Sequence, residues 1–261
     1  MQISSLQTTF RSLVGSSLLL TSGILASAAT DFPPDPKLVV DSDTGLSVPK
    51  GFDTELLYKV DREKYGSWIS MTFDNQGRLV VSDQDAAGTF LLEVPEIGKT
   101  LSEDKITKLP LESGQWGMLY AFDHLYMVSQ RKLVRVPVSK SGEYGKPQDL
   151  FPLKGGWEHG PHSLIVTEDG TGLYFVAGNF ARNPEFEKSR IPTNWKDDVL
   201  LENYAYGHNG QGKAPGGWVL KFDPDGSNRE MINMGYRNPC DFALNRDGEM
   251  FVYDADMEWD M

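Results

Sequence analysis

Four short segments of the sequence hold the residue types that could carry chemistry, and each precedes a predicted β-hairpin. They are Ser67-Trp68, Gln115-Trp116, Glu158-His159-Gly160-Pro161-His162 and Gly235-Tyr236-Arg237-Asn238-Pro239. Indole rings stack on flat ligands, a guanidinium pairs with carboxylates, and imidazole serves as a general base. If the segments share one site, they predict a pocket for a flat anionic ligand. The predicted catalytic residues are His159 and His162, and the predicted ligand-binding residues are Arg237, Asn238, Trp116 and Gln115.

An internal repeat gives the reason why these segments would meet. An apolar alternation, a tight polar turn and a second alternation recur over residues 69–83, 119–129, 164–178 and 242–254. Each stretch is typical of a β-hairpin whose Asp, Asn or Gly turn residues tolerate positive φ. The first apolar residue after each turn is Leu79, Leu125, Leu173 or Met250, which gives intervals of 46, 48 and 77 residues. The two shorter intervals match the roughly 40–50 residues of one four-stranded propeller blade.

The longest interval contains residues 180–215, a polar stretch that we interpret as a long loop inserted within one blade. Apolar segments at 90–95, 132–137 and 218–226 follow three of the hairpins and are predicted to be outer strands of the blades. The predicted fold class is therefore all-β, a β-propeller with about four blades present and the last one incomplete. A β-sandwich also alternates short strands with turns, but it gives no reason for a fixed interval.

The N-terminal residues have the layout of a secretory signal peptide. Residues 1–12 carry one charge, residues 13–25 form an apolar stretch, and Ala26-Ser27-Ala28 supplies the small residues of a cleavage site. This stretch is shorter than the roughly 20 residues that span a bilayer, so we predict cleavage, no membrane span thereafter, and a periplasmic or secreted protein. The predicted order is a signal peptide over 1–28, a linker over 29–48 and a partial propeller domain over 49–261.

Composition narrows the function classes. The formal net charge of −12 argues against nucleic acid or an anionic membrane as a partner, because both require a basic surface. Cys240 is the only cysteine, so no internal disulfide can form. The sequence contains no P-loop, no Gly-x-Gly-x-x-Gly that opens a helix and no Cys-x-x-Cys-His, so nucleotide and covalent haem chemistry have no support.

An acidic stretch near the C-terminus is predicted to bind calcium. In an extended strand, Asp254, Asp256, Glu258 and Asp260 lie on one face at intervals of about 6.6 Å, and their charges repel. Calcium would relieve this repulsion, since it takes carboxylate oxygens readily. The alternative is a solvated acidic loop.

The sequence resembles the soluble quinoprotein glucose dehydrogenase and sorbosone dehydrogenase family over roughly residues 49–261. The resemblance rests on His159 with residues 164–178, and on residues 217–226 with the segment Gly235–Pro239. It implies that His159 is the base that removes the proton of a sugar's anomeric hydroxyl, and that Arg237, Asn238 and Pro239 bind the carboxylates of pyrroloquinoline quinone (PQQ). Three departures are visible: Asn179 stands where the family has Asp, His162-Ser163 stands in place of the Arg that commonly follows the His, and residues 256–257 replace the Gly-Pro that holds its calcium.

The resemblance implies an exported quinoprotein-like dehydrogenase that oxidises a sugar or a related alcohol or aldehyde with PQQ and Ca²⁺. A c-type cytochrome would be its electron acceptor. Two alternatives stay open, a Ca²⁺-dependent lactonase-type hydrolase and a non-catalytic carbohydrate- or protein-binding propeller. Structural roles are also open for the site residues, because histidines can bond loop carbonyls and tryptophans can pack between blades. Since the hairpins account for only part of a propeller, we interpret the sequence as the N-terminal part of a longer product.

Overall fold

The computed structural model describes residues 37–41, 44–192 and 216–255. It divides the chain into two compact units, residues 1–55 and residues 56–261. The described part of the first unit contains one antiparallel hairpin of β1 (Leu38–Val40) and β2 (Ser47–Pro49). Its turn is held by Asp41, whose carboxylate accepts a hydrogen bond of 2.9 Å from the N–H of Thr44.

The described residues of the second unit form β-sheets, with one helical turn α1 (Arg62–Tyr65) and one 3-10 turn (Glu103–Lys105) beside them. The strands of the first two sheets follow one another as antiparallel meanders. The first sheet contains β3 (Trp68–Phe73), β4 (Leu79–Asp83), β5 (Thr89–Leu92) and β6 (Ile106–Leu109). The second contains β7 (Gly117–Ala121), β8 (His124–Val128), β9 (Lys132–Pro137) and β10 (Gln148–Pro152). Within the described ranges, no helix has the length and apolar character of a membrane-crossing segment.

The third sheet continues this plan with one addition. Its meander is β11 (Pro161–Val166), β12 (Leu173–Ala177), β14 (Gly217–Phe222) and β15 (Glu230–Tyr236), and the short strand β13 (Lys188–Ser189) pairs in parallel with β15. The residues of the predicted insertion lie between β12 and β14, and residues 193–215 of it are outside the described residues. A fourth sheet consists of the hairpin β16 (Asn238–Leu244) and β17 (Met250–Ala255). All four predicted hairpins are thus present.

The hairpin turns are made by the residues that the sequence marks. The carboxylate oxygen Oδ1 of Asp74 accepts hydrogen bonds from the N–H groups two and four residues further on, at 2.9 and 3.0 Å. Gly77 completes this turn at φ +72°, a conformation that glycine adopts without strain. Asn245 and Gly248 repeat the arrangement between β16 and β17, with Gly248 at φ +80°. The same local solution therefore closes the first and the last hairpin.

Neighbouring sheets pack through apolar side chains that alternate along each strand. In β12, Leu173, Phe175 and Ala177 belong to the cluster shared with the second sheet, which includes Tyr126. The intervening residues, Tyr174 and Val176, pack with Phe242 of the fourth sheet. This alternation is the period of two expected for a strand buried on both faces. A further cluster, containing Val80 and Leu125, joins the first and second sheets.

The first strands of the four sheets lie side by side in chain order. The hydroxyl of Ser70 on β3 donates a hydrogen bond of 2.6 Å to the carbonyl oxygen of Gln115, which precedes β7. The hydroxyl of Ser163 on β11 donates one of 3.0 Å to the carbonyl of Cys240 on β16. Neighbouring sheets are closest at these strands, so the sheets fan outward from them. The described residues do not close a ring.

Apolar side chains remain exposed at both ends of this series of sheets. On β3, Met71 and Phe73 are 63% and 59% exposed, and on β17 Phe251 and Tyr253 are 62% and 69% exposed. They occupy alternate strand positions, so each set lies on one face of its sheet. These faces are the outer surfaces of the first and the fourth sheet.

Candidate functional site

The first strands of the four sheets surround one cavity of about 470 Å³. Each of these strands contributes to its wall, and so does Gln84 just after β4. Two of the predicted site residues line it, Trp116 and His162, together with Ser70 and Cys240. The repeat therefore brings segments that are far apart in the sequence to a common central space.

His162 is held in the cavity wall as a neutral imidazole. Its ring lies 5.7 Å from the ring of Trp116, centroid to centroid. Its Nε2 lies 3.1 Å from the carbonyl oxygen of Glu158, and because a carbonyl only accepts, Nε2 carries the hydrogen. Burial lowers the pKa of His162, the bond to Glu158 opposes the shift and the nearby His159 adds to it. Its Nδ1 therefore has a lone pair that can accept a proton at neutral pH.

His159 lies behind the cavity wall and is only 2% exposed. Its Nδ1 is 3.0 Å from Oδ1 of Asn179. The ring stacks on Phe180 at 4.4 Å between centroids and an interplanar angle of 20°. Its Nε2 is 3.8 Å from Oε1 of Glu158. The ring is thus fixed in plane and in rotation by three neighbours.

Main-chain contacts join the loop after β12, which is bonded to His159, to Arg237 and thereby to Asn238. The N–H of Asn179 donates a hydrogen bond of 2.8 Å to the carbonyl oxygen of Arg237. Gly178, the first residue after β12, lies close to both His159 and Arg237. A Cβ there would come within 2.5 Å of the His159 carbonyl oxygen and 3.0 Å of that of Arg237. Only glycine allows this approach. The structure therefore brings His159, His162, Arg237 and Asn238 to neighbouring loops and strand starts at one end of the third and fourth sheets.

Two buried amide atoms at this end have no hydrogen-bond partner among the described residues. They are Nδ2 of Asn179, a donor, and Oδ1 of Asn238, an acceptor. Buried polar groups in folded proteins are nearly always paired, so such atoms call for a water or a ligand. Together with the guanidinium of Arg237, these two atoms suit a ligand that is anionic and rich in hydrogen-bonding atoms.

Gln115 and Trp68 take part in packing rather than in the cavity wall. Gln115 is 2% exposed, and its Nε2 donates a hydrogen bond of 3.0 Å to the carbonyl oxygen of Ser113. The indole of Trp68 stacks on Tyr58 at 5.9 Å, and its Nε1 donates to the carbonyl oxygen of Tyr65 at 3.1 Å. Neither side chain lines the central cavity. For Trp68 the structure supports the packing role that was the alternative interpretation.

Asp254 acts as a cap on the loop before β16. Its two carboxylate oxygens accept the N–H groups of Arg237 at 2.9 Å and Asn238 at 2.7 Å. Asp83, at the same position of the first repeat, accepts the N–H of Ser67 at 2.6 Å. The described residues contain no group of three or more His, Cys, Asp or Glu side chains that could hold a metal ion. The other predicted calcium ligands, Asp256 and Glu258, lie outside the described residues, so the described residues alone do not form the predicted calcium site.

Sequence reasoning missed part of the cavity wall, namely Ser70, Gln84 and Cys240. Cys240 is half-buried and lines the cavity. Register shifts occur between Trp68 and Ser70 on β3 and between Pro239 and Asp241 on β16. Each bulge changes which residues face the centre. For Ser70 and Cys240, the available signal was a small residue near the start of a repeated strand, whereas Gln84 follows the end of β4.

Sequence comparison finds no matching protein-family model and no similar curated protein. Among solved structures, the chain is similar to the holo form of the PQQ domain of pyranose dehydrogenase from Coprinopsis cinerea, with a TM-score of 0.49 and 11% identity over 73% of this chain and 44% of that one. It is also similar to the PQQ-bound aldose sugar dehydrogenase of Streptomyces coelicolor, with a TM-score of 0.42 and 20% identity over 71% and 58%. A putative gluconolactonase gives a TM-score of 0.42 and 20% identity over 72% and 55%. The chain spans about half the length of these proteins.

Proposed function

We propose that this protein is an exported dehydrogenase of the propeller type that oxidises a sugar or a related alcohol or aldehyde with PQQ. The observation that carries the proposal is the cluster at one end of the third and fourth sheets. There His159, Asn179 and Arg237 are joined by hydrogen bonds, beside two buried amide atoms without a partner in the described chain. The fan of sheets around a central cavity supports the propeller, and residues 1–28 are its proposed export signal.

The residues of the cluster fit PQQ, which carries three carboxylates and carbonyl oxygens on a flat ring system. Arg237 would pair with a carboxylate, Nδ2 of Asn179 would donate to an oxygen, and Oδ1 of Asn238 would accept from the ring N–H. When bound, PQQ supplies a two-electron acceptor. Asp254 holds the backbone at Arg237 and Asn238 and so fixes where both side chains begin.

The histidines provide the proton acceptor that oxidation of an alcohol requires. His159 is the proposed base for the substrate hydroxyl, because it belongs to the same cluster as Arg237. Neutral His162 lies in the adjacent cavity wall and is the second candidate. A base of this kind contributes roughly 10²–10⁴-fold to the rate. A c-type cytochrome is the proposed electron acceptor. Calcium stays in the proposal with the sequence-predicted ligands Asp254, Asp256 and Glu258, of which the structure describes Asp254.

The test uses the full-length gene product. PQQ binding is measured by quenching of tryptophan fluorescence, with and without Ca²⁺, and activity by dye reduction with a panel of aldoses. We expect Arg237→Gln to weaken PQQ binding at least tenfold, and His159→Gln to lower the turnover at least 100-fold while PQQ remains bound. The control is His124→Gln, because His124 is the first residue of β8, outside the cluster, and bonds the carbonyl of Phe122.

Three outcomes would overturn the proposal. Absence of PQQ binding by the full-length protein would exclude a quinoprotein. Hydrolysis of lactones without PQQ would favour the lactonase-type hydrolase instead. Retention of glycans on an array, with neither activity, would favour a binding protein.

A further inference from the structure

The tautomers of two histidines follow from their hydrogen-bond partners. Nε2 of His162 faces the carbonyl of Glu158 at 3.1 Å, and Nδ1 of His124 faces the carbonyl of Phe122 at 2.6 Å. Backbone carbonyls only accept, so His162 carries its hydrogen on Nε2 and His124 on Nδ1. The two rings therefore serve as internal references of opposite type.

His159 is bonded by a side-chain oxygen instead. Its Nδ1 lies 3.0 Å from Oδ1 of Asn179, so Nδ1 donates and Nε2 holds the lone pair. The carboxylate of Glu158 lies on the Nε2 side, with Oε1 at 3.8 Å. We propose that Asn179 fixes His159 in the tautomer that makes Nε2 the basic nitrogen, and that Glu158 stabilises the proton which Nε2 takes up.

The two roles are separate because the two side chains differ in charge. Asn179 is neutral, so it orients the ring but adds no charge to balance an imidazolium. Glu158 is an anion 3.8 Å from the nitrogen that becomes positive, and its attraction favours the charged form. When Nε2 takes up a proton, Nδ1–H keeps its bond to Asn179, and the carboxylate of Glu158 faces the new charge.

The surroundings hold Asn179 and the ring in place for this purpose. The N–H of Asn179 is bound to the carbonyl of Arg237, and Phe180 covers one face of the imidazole. Among the described residues, the charged or imidazole groups on the neighbouring elements include His162 on β11, Arg237 before β16, Asp241 on β16 and Asp254 on β17. His162 is neutral by burial, and the carboxylate of Asp254 faces the N–H groups at 237 and 238. Glu158 is thus an anion placed at the Nε2 side of His159, with Oε1 at 3.8 Å.

The tautomers of the histidines are measured by nitrogen-15 NMR of the full-length protein without PQQ or substrate. We expect His159 to show the Nδ1–H pattern of His124, and His162 the opposite pattern. Asn179→Asp should keep the Nδ1–H pattern, whereas Asn179→Leu should lose it. Glu158→Gln should lower the titration midpoint of His159 by about 0.7 pH unit, the effect of one charge at about 4 Å in water. Glu168→Gln, on the β11–β12 turn, is the matched control and should leave the midpoint unchanged.

An Nε2–H pattern for His159 in the unaltered protein, or an unchanged midpoint in Glu158→Gln, would overturn the inference. Asn179→Asp and Glu158→Gln keep the side-chain size, so they test it even if Asn179→Leu does not fold. The catalytic role of Asn179 and Glu158 rests on the proposed function, but the NMR measurement of their effects on His159 does not. If the protein shows the expected tautomers but does not bind PQQ, the proposed function is rejected, and the effects of Asn179 and Glu158 on His159 still stand.

Discussion

The backbone N–H of Asn179 donates a hydrogen bond of 2.8 Å to the carbonyl oxygen of Arg237. This bond joins the loop after β12 to the loop before β16, so the third and fourth sheets are aligned at their common end by main-chain atoms. The side chains of both residues are left to other partners. Substitutions at 179 and 237 should therefore change the chemistry of the cluster while the loops stay aligned.

Asp254→Ala should destabilise the protein by about 2 kcal/mol. The substitution removes the acceptor of two backbone N–H groups, those of Arg237 and Asn238, and unpaired donors of this kind cost about 1–3 kcal/mol. Urea denaturation followed by fluorescence measures the change in the free energy of unfolding. Asp247→Ala, on the exposed turn before β17, is the control and should change it by less than about 0.5 kcal/mol. Equal effects of the two substitutions would show that Asp254 is not a cap.

Gly117→Ala should separate the second and third sheets at their first strands. A Cβ on Gly117 would overlap the carbonyl oxygen of His162, and overpacking of this kind costs about 1–3 kcal/mol. The expected result is a lower free energy of unfolding together with a shifted ring signal of His162. In Gly145→Ala the new Cβ would meet its nearest atom, the carbonyl oxygen of Pro137, at 3.4 Å, so this variant should stay close to the parent.

Acid should weaken the contact between the first hairpin and the β9–β10 loop. Asp74 pairs with Arg78 at 2.7 Å and accepts from the Tyr144 hydroxyl at 2.9 Å. Burial raises the pKa of Asp74, but hydrogen bonds from Arg78, from two backbone N–H groups and from Tyr144 together lower it below its usual 3.8. The folded-state pKa is therefore the lower one, so the stabilisation is present above the unfolded pKa and is lost as pH falls through the folded value.

Asp74→Asn should remove this part of the pH dependence. Denaturant titrations at about pH 6 and about pH 2.5 compare the two proteins. The parent protein should lose more stability than the variant on acidification, and the variant should be less stable by about 1–3 kcal/mol at pH 6. A parallel loss in both proteins would exclude Asp74 as a source of the acid sensitivity.

The thiol of Cys240 should react slowly with a disulfide reagent. Burial raises its pKa, and the carboxylates of Asp254 and Asp241 raise it further, so the reactive thiolate is scarce near pH 8. Cys240 is the only cysteine, so absorbance of the released product reports this site alone. We expect Asp241→Asn to increase the rate, whereas Asp247→Asn should leave it unchanged. A parent rate equal to that of a free thiol would contradict the burial of Cys240 in the cavity wall.

The hairpins could be predicted from the sequence because their signals are local. The turn at Asp74–Gly77 and the alternation around it specify a hairpin without reference to the rest of the chain. The last strand of each four-stranded meander, β6, β10 and β15, was missed. β6 and β10 are edge strands and carry exposed polar residues such as Lys108 and Gln148, so they lack the apolar alternation that marks a buried strand.

The site was predicted in part for a related reason. Spacing from each turn placed His159, His162, Arg237 and Asn238 at the same end of their sheets, and the structure brings them to neighbouring loops and strand starts. The direction of a side chain depends on register, which a bulge changes by one residue. Trp68 stands at such a bulge and turns to Tyr58 and Tyr65. The capping role of Asp254 could be recognised only from its hydrogen bonds in the structure, and Asp83 makes a similar bond at the equivalent position of the first repeat.

The contacts at the centre of the fan are made largely by peptide groups and small residues, as between Ser70 and Gln115, Ser163 and Cys240, or Gly178 and its two neighbouring carbonyls. These central contacts form the hub of the fan, and they do not depend on the identity of the larger side chains in the loops around it. A designer could therefore exchange those loop residues one at a time to recognise a different small molecule, provided that the glycines and hydroxyls at the hub are kept.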